Sequence, residues 1–380
     1  MREKVNKPTV LLLGTRGIPA RHGGFETFVE RLAPDLVCHG WDVSVYCQEE
    51  GKRAIWETNY RGVRLIHVSV KGTSTKSTIV FDWISMCDAL RRDGLIFSFG
   101  YPTGLFAILP RLCRRRHIIN MDGIEWKRAQ FGRLGKVAYY INERFAAAFG
   151  NRLVADHPCI EDHLATRVSR RKITTIAYGA EGIFDADLIP LTYYGVEPGR
   201  YALIVARPEP DNSILEMVRA FSRQKRNRRL VVLGKFECNN HYHVAVKSAA
   251  SEEVIFPGAI YDKALLQALR KHARFYAHGH RVGGTNPSLV EALGASSAIL
   301  AHDNKFNRWV AQKSAVYFLN EDDAEREIER LFSDDELISD LRMHAKARFE
   351  KTFTWRSILD QYHELLAAEA RLERSLLQRK

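Results

Sequence analysis

Short apolar runs alternate with amphipathic segments from one end of the chain to the other. The runs that predict strands are residues 10–13, 43–47, 63–68, 95–99, 117–121, 153–155, 173–177, 202–206, 230–233, 254–256, 275–277, 298–300 and 316–318. Helical patterns fill the gaps between these runs. Alternation of this kind predicts parallel sheets that are covered by helices.

Two of the helical segments are informative in detail. In the segment after the first strand, the apolar positions are Phe25, Phe28, Val29, Leu32 and Leu36. They recur at helical spacing, although Pro34 counts against an unbroken helix. At the other end of the chain, the pattern from residue 355 to 380 predicts a long amphipathic helix, and Glu369 interrupts its apolar face.

The two series of strands predict two doubly wound α/β domains. We expect the first domain over residues 1–184, a linker rich in proline and glycine over 185–199, the second domain over 200–353, and the C-terminal amphipathic helix over 354–380. Ligands of α/β sheets bind beyond the carboxyl ends of the strands. We therefore expect these ends of the two domains to face each other across a cleft.

Composition and the chain start bear on the compartment. Apolar residues make up 46% of the chain, and no run approaches the length of about 18 apolar residues that predicts a membrane span. The start, MREKVNKPTV, lacks the apolar core of a secretory signal, and the six cysteines form no C-x-x-C pair. These features favour a cytoplasmic protein with reduced thiols.

The positive charge is concentrated in the first half of the chain. Of the net charge of +12, residues 1–180 contribute +11. A one-sided basic domain suggests an anionic partner, either nucleic acid or an acidic membrane leaflet, whereas a solubilising surface is the alternative. The aromatic residues form no RNA-reading signature, which disfavours nucleic acid.

The loop after the first strand is rich in glycine and arginine. It reads GTRGIPARHGGFETFVERLA over residues 14–33. Gly23 and Gly24 permit close backbone approach, a helix N-terminus near Gly24 attracts anions, and Arg16 and Arg21 add positive charge. The pattern is neither G-x-G-x-x-G nor a Walker loop, so a phosphate or sugar is favoured over a nicotinamide cofactor. A tight turn with surface arginines is the alternative.

A second glycine-rich turn leads into a helix in the second half. It reads HGHRVGGTNPSLVEALG over residues 278–294. Asn286 as N-cap with Pro287 at the first helical position is one helix start, and a capping box of Ser288 with Glu291 is the other. Both place an anion site at this turn. Glu291 lies one turn into the helix, where it either accepts hydrogen bonds from hydroxyl groups or serves as a surface carboxylate.

Single charged residues also follow predicted strands. Arg207 and Lys235 lie where a cation grips a diphosphate, and their alternative is an exposed loop cation. Asp122, with Glu125 as its neighbour, lies where an acidic residue binds an acceptor hydroxyl or takes its proton, and an N-cap role competes.

Two further groups have mainly structural interpretations. Cys238, His241 and His243 lack an evident fourth zinc ligand, which favours a polar loop. The arginine run 114–116 is typical of a solvated helix end, with contact to acidic lipid as the alternative.

Taken together, these stretches resemble a GT-B glycosyltransferase over essentially the whole chain. More narrowly, GTRGIPARHGGFETFVE, NMDGIEWKRAQFG and HGHRVGGTNPSLVEAL look like the branch of the retaining family GT4 whose N-terminal region is called DUF1972. That branch includes rhamnosyltransferases of bacterial capsule and exopolysaccharide assembly. The resemblance implies transfer of a sugar, with L-rhamnose from dTDP-rhamnose as the best guess, to a saccharide or an undecaprenyl-diphosphate-linked saccharide.

The resemblance also implies roles for individual residues. Gly23 and Gly24 would lie against the donor phosphates or the sugar. Asp122 would stand where many relatives have an acceptor-side histidine. Arg207 would neutralise the diphosphate, and Glu291 would be the second glutamate of the E-x7-E signature, which binds the sugar of the nucleoside.

Two positions depart from the family pattern. The first glutamate of the signature falls at Gly283, so backbone groups of Gly284, Thr285 and Asn286 would contact the sugar instead. The usual lysine falls near Asn212, which leaves Lys235 as its replacement.

The remaining charge of the diphosphate would meet the helix N-terminus at Thr285–Ser288. The resemblance implies no metal, and it places the enzyme in the cytoplasm, peripheral on the inner face of the membrane. A binding protein without catalysis, a nucleotide-sugar epimerase and a glycan phosphorylase are the alternatives.

Overall fold

The computed structural model describes residues 7–20, 23–52, 54–72, 74–128 and 131–377. The chain divides into two compact units. The first unit contains Met1–Trp126, Phe131–Ala177 and Ile358–Lys380. The second contains Lys127–Gln130 and Tyr178–Ser357.

The first unit is built on an eight-stranded sheet. Its strands are β1 (Thr9–Leu13), β2 (Asp42–Glu50), β3 (Trp56–Tyr60), β4 (Val63–Val70), β5 (Leu95–Phe99), β6 (His117–Asn120), β7 (Arg152–Ala155) and β8 (Ile173–Thr175). Their order across the sheet is β3-β4-β2-β1-β5-β6-β7-β8. All neighbouring pairs are parallel except β3 with β4. The strand order reverses between β1 and β5, which is the topological switch point of this sheet.

Helices cover this sheet. They are α1 (Gly24–Cys38), α2 (Thr75–Ala89), α3 (Ile108–Leu112), α4 (Arg133–Phe149) and α5 (Pro158–Ala165), with short 3-10 turns at Gly104–Ala107, Glu125–Lys127 and Arg170–Lys172. Side chains of β1, β2, β4 and α2 form one apolar core, which includes Leu11, Tyr46, Ile66 and Phe81.

The second unit has a six-stranded parallel sheet. Its strands are β9 (Tyr201–Val205), β10 (Arg229–Leu233), β11 (Val254–Gly258), β12 (Phe275–His278), β13 (Ile299–His302) and β14 (Ala315–Phe318), in the order β11-β10-β9-β12-β13-β14. The switch point lies between β9 and β12.

The helices of the second unit complete the chain. They are α6 (Ile189–Thr192), α7 (Ile214–Ser222), α8 (His241–Ser248), α9 (Lys263–His272), α10 (Pro287–Gly294), α11 (Lys305–Ala311), α12 (Glu321–Ser333) and α13 (Asp335–Thr352), and they are followed by the last helix, α14 (Trp355–Leu377). Most of α14 is counted with the first unit, because that unit takes up the chain again at Ile358. Among the described residues, no helix is both long and apolar enough to cross a membrane.

Every predicted strand is present within two or three residues of its expected ends, and one strand among the described residues was not predicted. This strand, β3, reads WETNY and has mostly exposed side chains. It pairs antiparallel to β4 at the edge of the sheet. An edge strand with little buried surface carries no apolar run, so the pattern does not reveal it.

Helix α1 is continuous through Pro34, contrary to the expectation of a break. Phe28, Val29, Leu32 and Leu36 of this helix are buried. Burial of four large apolar side chains stabilises the helix by several kcal/mol, which exceeds the cost of about 3 kcal/mol for an internal proline.

The compact units divide the chain between Ala177 and Tyr178, and residues 185–199, the expected linker, are counted in the second unit. Helix α6 lies within that stretch.

Helix α14 is attached to the first unit by buried ion pairs. Glu373 is 3% exposed and accepts a hydrogen bond from Nε of Arg115 at 2.8 Å. Glu369 is fully buried and pairs with Arg116 and with Arg152. Two expectations were therefore wrong. Arg115 and Arg116 are not a solvated helix end, and Glu369 does not break the packed face of α14, because each charge is neutralised inside the unit.

We expect Glu369→Gln to lower the free energy of unfolding by about 3–5 kcal/mol, because it leaves the guanidinium groups of Arg116 and Arg152 without their buried carboxylate. Thermal unfolding measures the loss. Glu364→Gln, at an exposed position of the same helix, is the matched control and should leave the midpoint unchanged. Equal midpoints for the two variants would contradict the assignment.

Candidate functional site

Several of the predicted residues meet at the carboxyl edge of the second sheet. Arg207 follows β9 and Lys235 follows β10, while the glycine-rich turn follows β12. Strands β9, β10 and β12 are neighbours in the sheet. The residues therefore gather at the switch point, where α/β sheets bind their ligands.

Contacts of Asn212 hold the loop that carries Arg207 in place. Asn212, which stands where a lysine was expected, donates from its side chain to the carbonyl of Arg207 at 2.8 Å. A Cβ atom at Gly279 would lie only 2.2 Å from the carbonyl oxygen of Asn212. The glycine thus permits the two loops to touch. Arg207 itself is exposed, and no described carboxylate pairs with it.

The turn after β12 is tied to the same loop by Arg281. Its guanidinium donates to Ser213 at 2.7 Å and to Glu216 at 2.5 Å, and its backbone N–H donates to the carbonyl of Asp211. The Arg207 loop and the glycine-rich turn therefore form one connected structure.

The glycine-rich turn ends at a capped helix. Asn286 is the N-cap of α10, since its side chain accepts from the N–H of Ser288 at 3.0 Å, and Pro287 is the first helical residue. This confirms the first of the two predicted helix starts. The hydroxyl of Ser288 contacts that of Tyr276 at 2.6 Å and donates to the carbonyl of Val205 at 3.0 Å. Ser288 thereby attaches the start of α10 to β9 and β12.

The other residues of the turn lie at the same edge. Thr285 is buried, whereas Gly284 is half-buried. Gly283, where a glutamate was expected, has a φ of +145°, a backbone conformation that glycine adopts far more readily than glutamate.

Glu291 lies one turn into α10 and forms an ion pair with Arg270 of α9. The guanidinium of Arg270 is 5% exposed, whereas the carboxylate is about one-third exposed. One side of the Glu291 carboxylate is thus held by the buried guanidinium. The accessible remainder can accept hydrogen bonds, and Arg270 holds its orientation.

Two histidines stack behind the turn. The rings of His278 and His280 are 4.3 Å apart and nearly parallel. Both ring nitrogens of His278 and Nδ1 of His280 are buried without a hydrogen-bond partner among the described residues. Burial lowers the pKa of His278 well below its usual value and that of His280 to about 3, and the charges of Arg128 and Arg207 act on His280 in the same direction. Both rings are therefore neutral near pH 7.

Two further predicted residues at the margin of this edge, Lys235 and His243, have local partners. Lys235 is exposed and lies 3.4 Å from the carboxylate of Glu237. His243, from the stretch weighed as a zinc site, accepts from the N–H of Glu237 and contacts the carbonyl of Pro208. Both of its ring nitrogens are engaged in packing this loop.

In the first unit, the loop after β1 is held by two glutamates of α1. Glu26 accepts from the N–H of Arg16 at 3.1 Å, and Glu30 accepts from the N–H of Ala20 at 3.3 Å. Glu26 is buried in the first turn, so a carboxylate of the chain already lies at the positive end of the helix. Gly23 is the exposed N-cap, Gly24 begins α1, and the side chain of Arg16 is exposed. Arg21 lies outside the described residues.

Asp122 lies two residues beyond β6 in a left-handed conformation, with a φ of +48°. Its backbone N–H donates to the side chain of Asn120 at 3.0 Å, and the amide of Asn120 donates to the hydroxyl of Tyr362 on α14. The C-terminal helix thus supports the backbone of the Asp122 loop. The N–H of Glu125 donates to the hydroxyl of Tyr101 at 2.8 Å.

The loop after Asp122 packs on α4. The hydroxyl of Tyr101 donates to the carbonyl of Gly123, and its ring lies against Tyr139. The indole N–H of Trp126 donates to Glu143 at 2.8 Å. The loop that follows Asp122 is therefore fixed to the middle of α4.

Sequence reasoning missed three contributors to the site. Arg270 and Arg281 reach the site only when the chain is folded, and the sequence around them shows no pattern that predicts this role. His280 was in principle accessible, because the repeat His-Gly-His directly follows a predicted strand.

Residues 7–181 match the family model of a domain of unknown function, DUF1972. The predicted DUF1972 region is thereby confirmed. No curated protein sequence matches the chain.

Solved structures share its fold over nearly the full length. Sucrose-phosphate synthase from Thermosynechococcus elongatus is 15% identical with a TM-score of 0.81, covering 95% of this chain and 100% of that chain. HepE from Anabaena, in complex with UDP and glucose, is 13% identical with a TM-score of 0.74, at coverages of 95% and 99%. WaaG, a glycosyltransferase involved in lipopolysaccharide biosynthesis, is 14% identical with a TM-score of 0.72, at 94% and 99%. The predicted fold of two Rossmann-like domains, as in GT-B glycosyltransferases, is confirmed.

The buried histidine pair should make stability depend on pH. The unfolded chain takes up a proton at His278 below about pH 6.5, whereas the folded protein resists protonation, so stability falls as the pH falls below this value. We expect His278→Phe to reduce the slope by up to about 1.4 kcal/mol per pH unit. Denaturant titrations across this range measure the slope.

His344→Phe, which removes a half-buried histidine from α13 of the same unit, is the control for a general effect of losing an imidazole. An unchanged slope in the His278 variant would show that the imidazole binds its proton as readily in the folded protein as in the unfolded chain.

Proposed function

We propose that the chain is a retaining glycosyltransferase that uses a nucleotide-diphosphate sugar. The donor binds at the carboxyl edge of the second sheet, and the acceptor binds at that of the first. The observation that carries this proposal is the assembly at the β9–β12 switch point. There an arginine without a described carboxylate partner, a capped helix N-terminus and a glutamate held by Arg270 occupy one edge.

The chemistry of that edge suits a nucleoside diphosphate. Arg207 supplies a guanidinium for the diphosphate, and the N–H groups at the start of α10 supply a second anion site. The carboxylate of Glu291, held by Arg270, suits the hydroxyl groups of a ribose. HepE, which shares the fold, is described with UDP and glucose. These features support stabilisation of a leaving diphosphate by Arg207, Lys235 and residues 284–288.

The first unit supplies the acceptor side. Asp122 at the end of β6 is the candidate that binds or deprotonates an acceptor hydroxyl, with Glu125, Arg16 and Arg21 near the expected acceptor. Gly23 and Gly24 would lie against the donor phosphates or sugar. Retention of configuration, membership of family GT4 and the choice of L-rhamnose from dTDP-rhamnose rest on the sequence resemblance.

We further propose a role in bacterial surface polysaccharide synthesis, with a saccharide or an undecaprenyl-diphosphate-linked saccharide as acceptor. WaaG, which shares the fold, is described as acting in lipopolysaccharide biosynthesis. A protein working on such an acceptor would be peripheral on the inner face of the membrane.

A catalytically impaired binding protein is the second candidate, favoured by Gly283 and Asn212. Asn212 closes the Arg207 loop and does not present a cation. Such a protein would bind the nucleotide without turnover. An epimerase would consume the nucleotide sugar without an acceptor, and a phosphorylase would need no nucleotide.

We expect one of dTDP, UDP and GDP to raise the thermal midpoint, because a ligand that binds only the folded state stabilises it. Arg207→Ala should raise the Kd of that nucleotide roughly tenfold to a hundredfold, since a hydrogen bond to a charged group contributes about 1.5–3 kcal/mol. Thermal-shift titration gives the Kd, and the responsive nucleotide then identifies the donor for turnover assays.

Lys225→Ala is the matched control, an exposed cation of the same unit away from the β9–β12 edge. A nucleotide that binds Arg207→Ala as tightly as the wild type would place the diphosphate elsewhere. No response to any of the three would favour the phosphorylase.

We expect turnover without a divalent metal, because the proposed diphosphate contacts are a guanidinium, an ammonium and helix N–H groups. Addition of EDTA in excess should leave the initial rate unchanged. A rate abolished by EDTA and restored by Mg²⁺ would contradict metal-independent catalysis.

A further inference from the structure

The outer face of α4 carries an apolar stripe that no other described element covers. Leu134, Val137 and Ile141 lie three and four residues apart, which places them on one side of the helix. Leu134 is 87% exposed and Val137 is 56% exposed. An isolated exposed leucine is ordinary, but a row of them along a helix marks a surface that contacts something apolar.

The stripe continues onto neighbouring elements. The ring of Trp83 on α2 lies 5.3 Å from that of Phe106, in the turn between β5 and α3. The adjacent Leu105 donates its N–H to Asn142 of α4 at 2.9 Å. The exposed apolar side chains on α2, on the turn and helix α3 that follow β5, and on α4 belong to Ile79, Val80, Trp83, Leu105, Leu112, Leu134, Val137 and Ile141. We call these residues the α2–α4 surface.

Positive charge surrounds this surface. Arg133 and Arg144 on α4 and Lys76 on α2 are exposed, and Lys136 is half-buried. None of the four is paired with a carboxylate among the described residues. Arg144 donates to the hydroxyl of Tyr140 and lies over its ring.

Negative charge is kept off the outer faces of both helices. Glu143, the one acidic residue of α4, is buried and bonded to Trp126, His163 and Arg167. On α2, Asp82 accepts from Thr103, and Asp88 accepts from Tyr46 and Arg92.

We propose that the α2–α4 surface docks on an anionic lipid bilayer. The apolar stripe of α4 enters the interface between headgroups and acyl chains, and the basic residues beside it meet the lipid phosphates. Charge complementarity selects this occupant, because a rim of cations that pair with no described carboxylate suits a uniformly anionic surface. A second copy of the chain would bring the same cations into repulsion.

Docking of α4 has a consequence for the acceptor. Trp126 and Tyr101 fasten the Asp122 loop to α4, so the carboxyl edge of the first sheet is held beside the bilayer. A sugar carried on a lipid diphosphate would then meet Asp122 close to the headgroups. This step rests on the proposed glycosyl transfer, whereas the docking itself does not.

The test is flotation of the full chain with phosphatidylcholine vesicles, with and without phosphatidylglycerol, in the absence of any nucleotide sugar. Binding should require the anionic lipid and should weaken in about 1 M salt, where charges are screened beyond about 3 Å. Arg133→Gln with Lys136→Gln should weaken binding about thirtyfold, or about fivefold per cation. Leu134→Ser, Val137→Ser and Ile141→Ser together should weaken it by about tenfold or more.

Matched controls lie in the second unit. Lys225→Gln with Lys313→Gln changes the net charge equally, and Leu319→Ser with Met343→Ser removes two exposed apolar side chains. Both should bind vesicles as the wild type does. The thermal midpoint of each variant verifies that it is folded.

The proposal is overturned if the chain does not bind vesicles, if it binds neutral vesicles as tightly as anionic ones, or if the substitutions on α4 do not weaken its binding. Light scattering that shows a dimer which the serine variant dissociates, without vesicle binding, would assign the α2–α4 surface to a second copy instead. Since the vesicle assay contains no nucleotide, its failure leaves the glycosyltransferase proposal standing, and a failure of nucleotide binding leaves the docking result standing.

Discussion

The first unit depends on two buried carboxylates. They neutralise arginines that lie far from them in the sequence but next to them in the fold. Glu369 and Glu373 of α14 face Arg115 and Arg116, which precede β6, and Glu369 also faces Arg152 at the start of β7. Buried charges are tolerated only when they are paired, so α14 has one allowed position on the sheet. That position sets Tyr362 at the other end of β6, where it holds Asn120 and, through it, the backbone of Asp122. The geometry of the candidate acceptor residue thus follows from the docking of the last helix.

The second unit achieves a similar rigidity by close backbone approach. Gly279 lets the loop after β12 touch the carbonyl of Asn212, and Arg281 joins the same two loops through Ser213 and Glu216. With Ser288 bonded to Val205, the start of α10 is fixed to the strand that carries Arg207. A cation and a helix N-terminus that are prepositioned in this way can stabilise developing negative charge with little reorganisation, which is the main requirement of a group-transfer site.

The apolar pattern predicted nearly all of the sheet strands, because buried strands must be continuous runs of apolar residues. It failed where burial does not decide the structure. The edge strand β3 exposes most of its side chains, and α1 passes through Pro34 because its apolar face outweighs one lost hydrogen bond. Local motifs placed Asn286, Pro287 and the turn before them correctly. The support of that site was not predictable, because Arg270 and Glu291 meet only after α9 and α10 pack together.

Contacts that form only in the fold also change the interpretation of the net charge. The first half of the chain carries an excess of eleven positive charges, but a count cannot separate internal from external cations. Arg115 and Arg116 form ion pairs with glutamates of α14, and Arg167 forms an ion pair with Glu143. Arg133 and Lys136 pair with no carboxylate in the described part of the chain, and they lie beside an apolar stripe on a helix whose one carboxylate is buried. A solubilising surface would intersperse charges of both signs and would have no need of exposed leucine. The segregation of charge on this face, more than its amount, therefore favours a lipid surface as its partner.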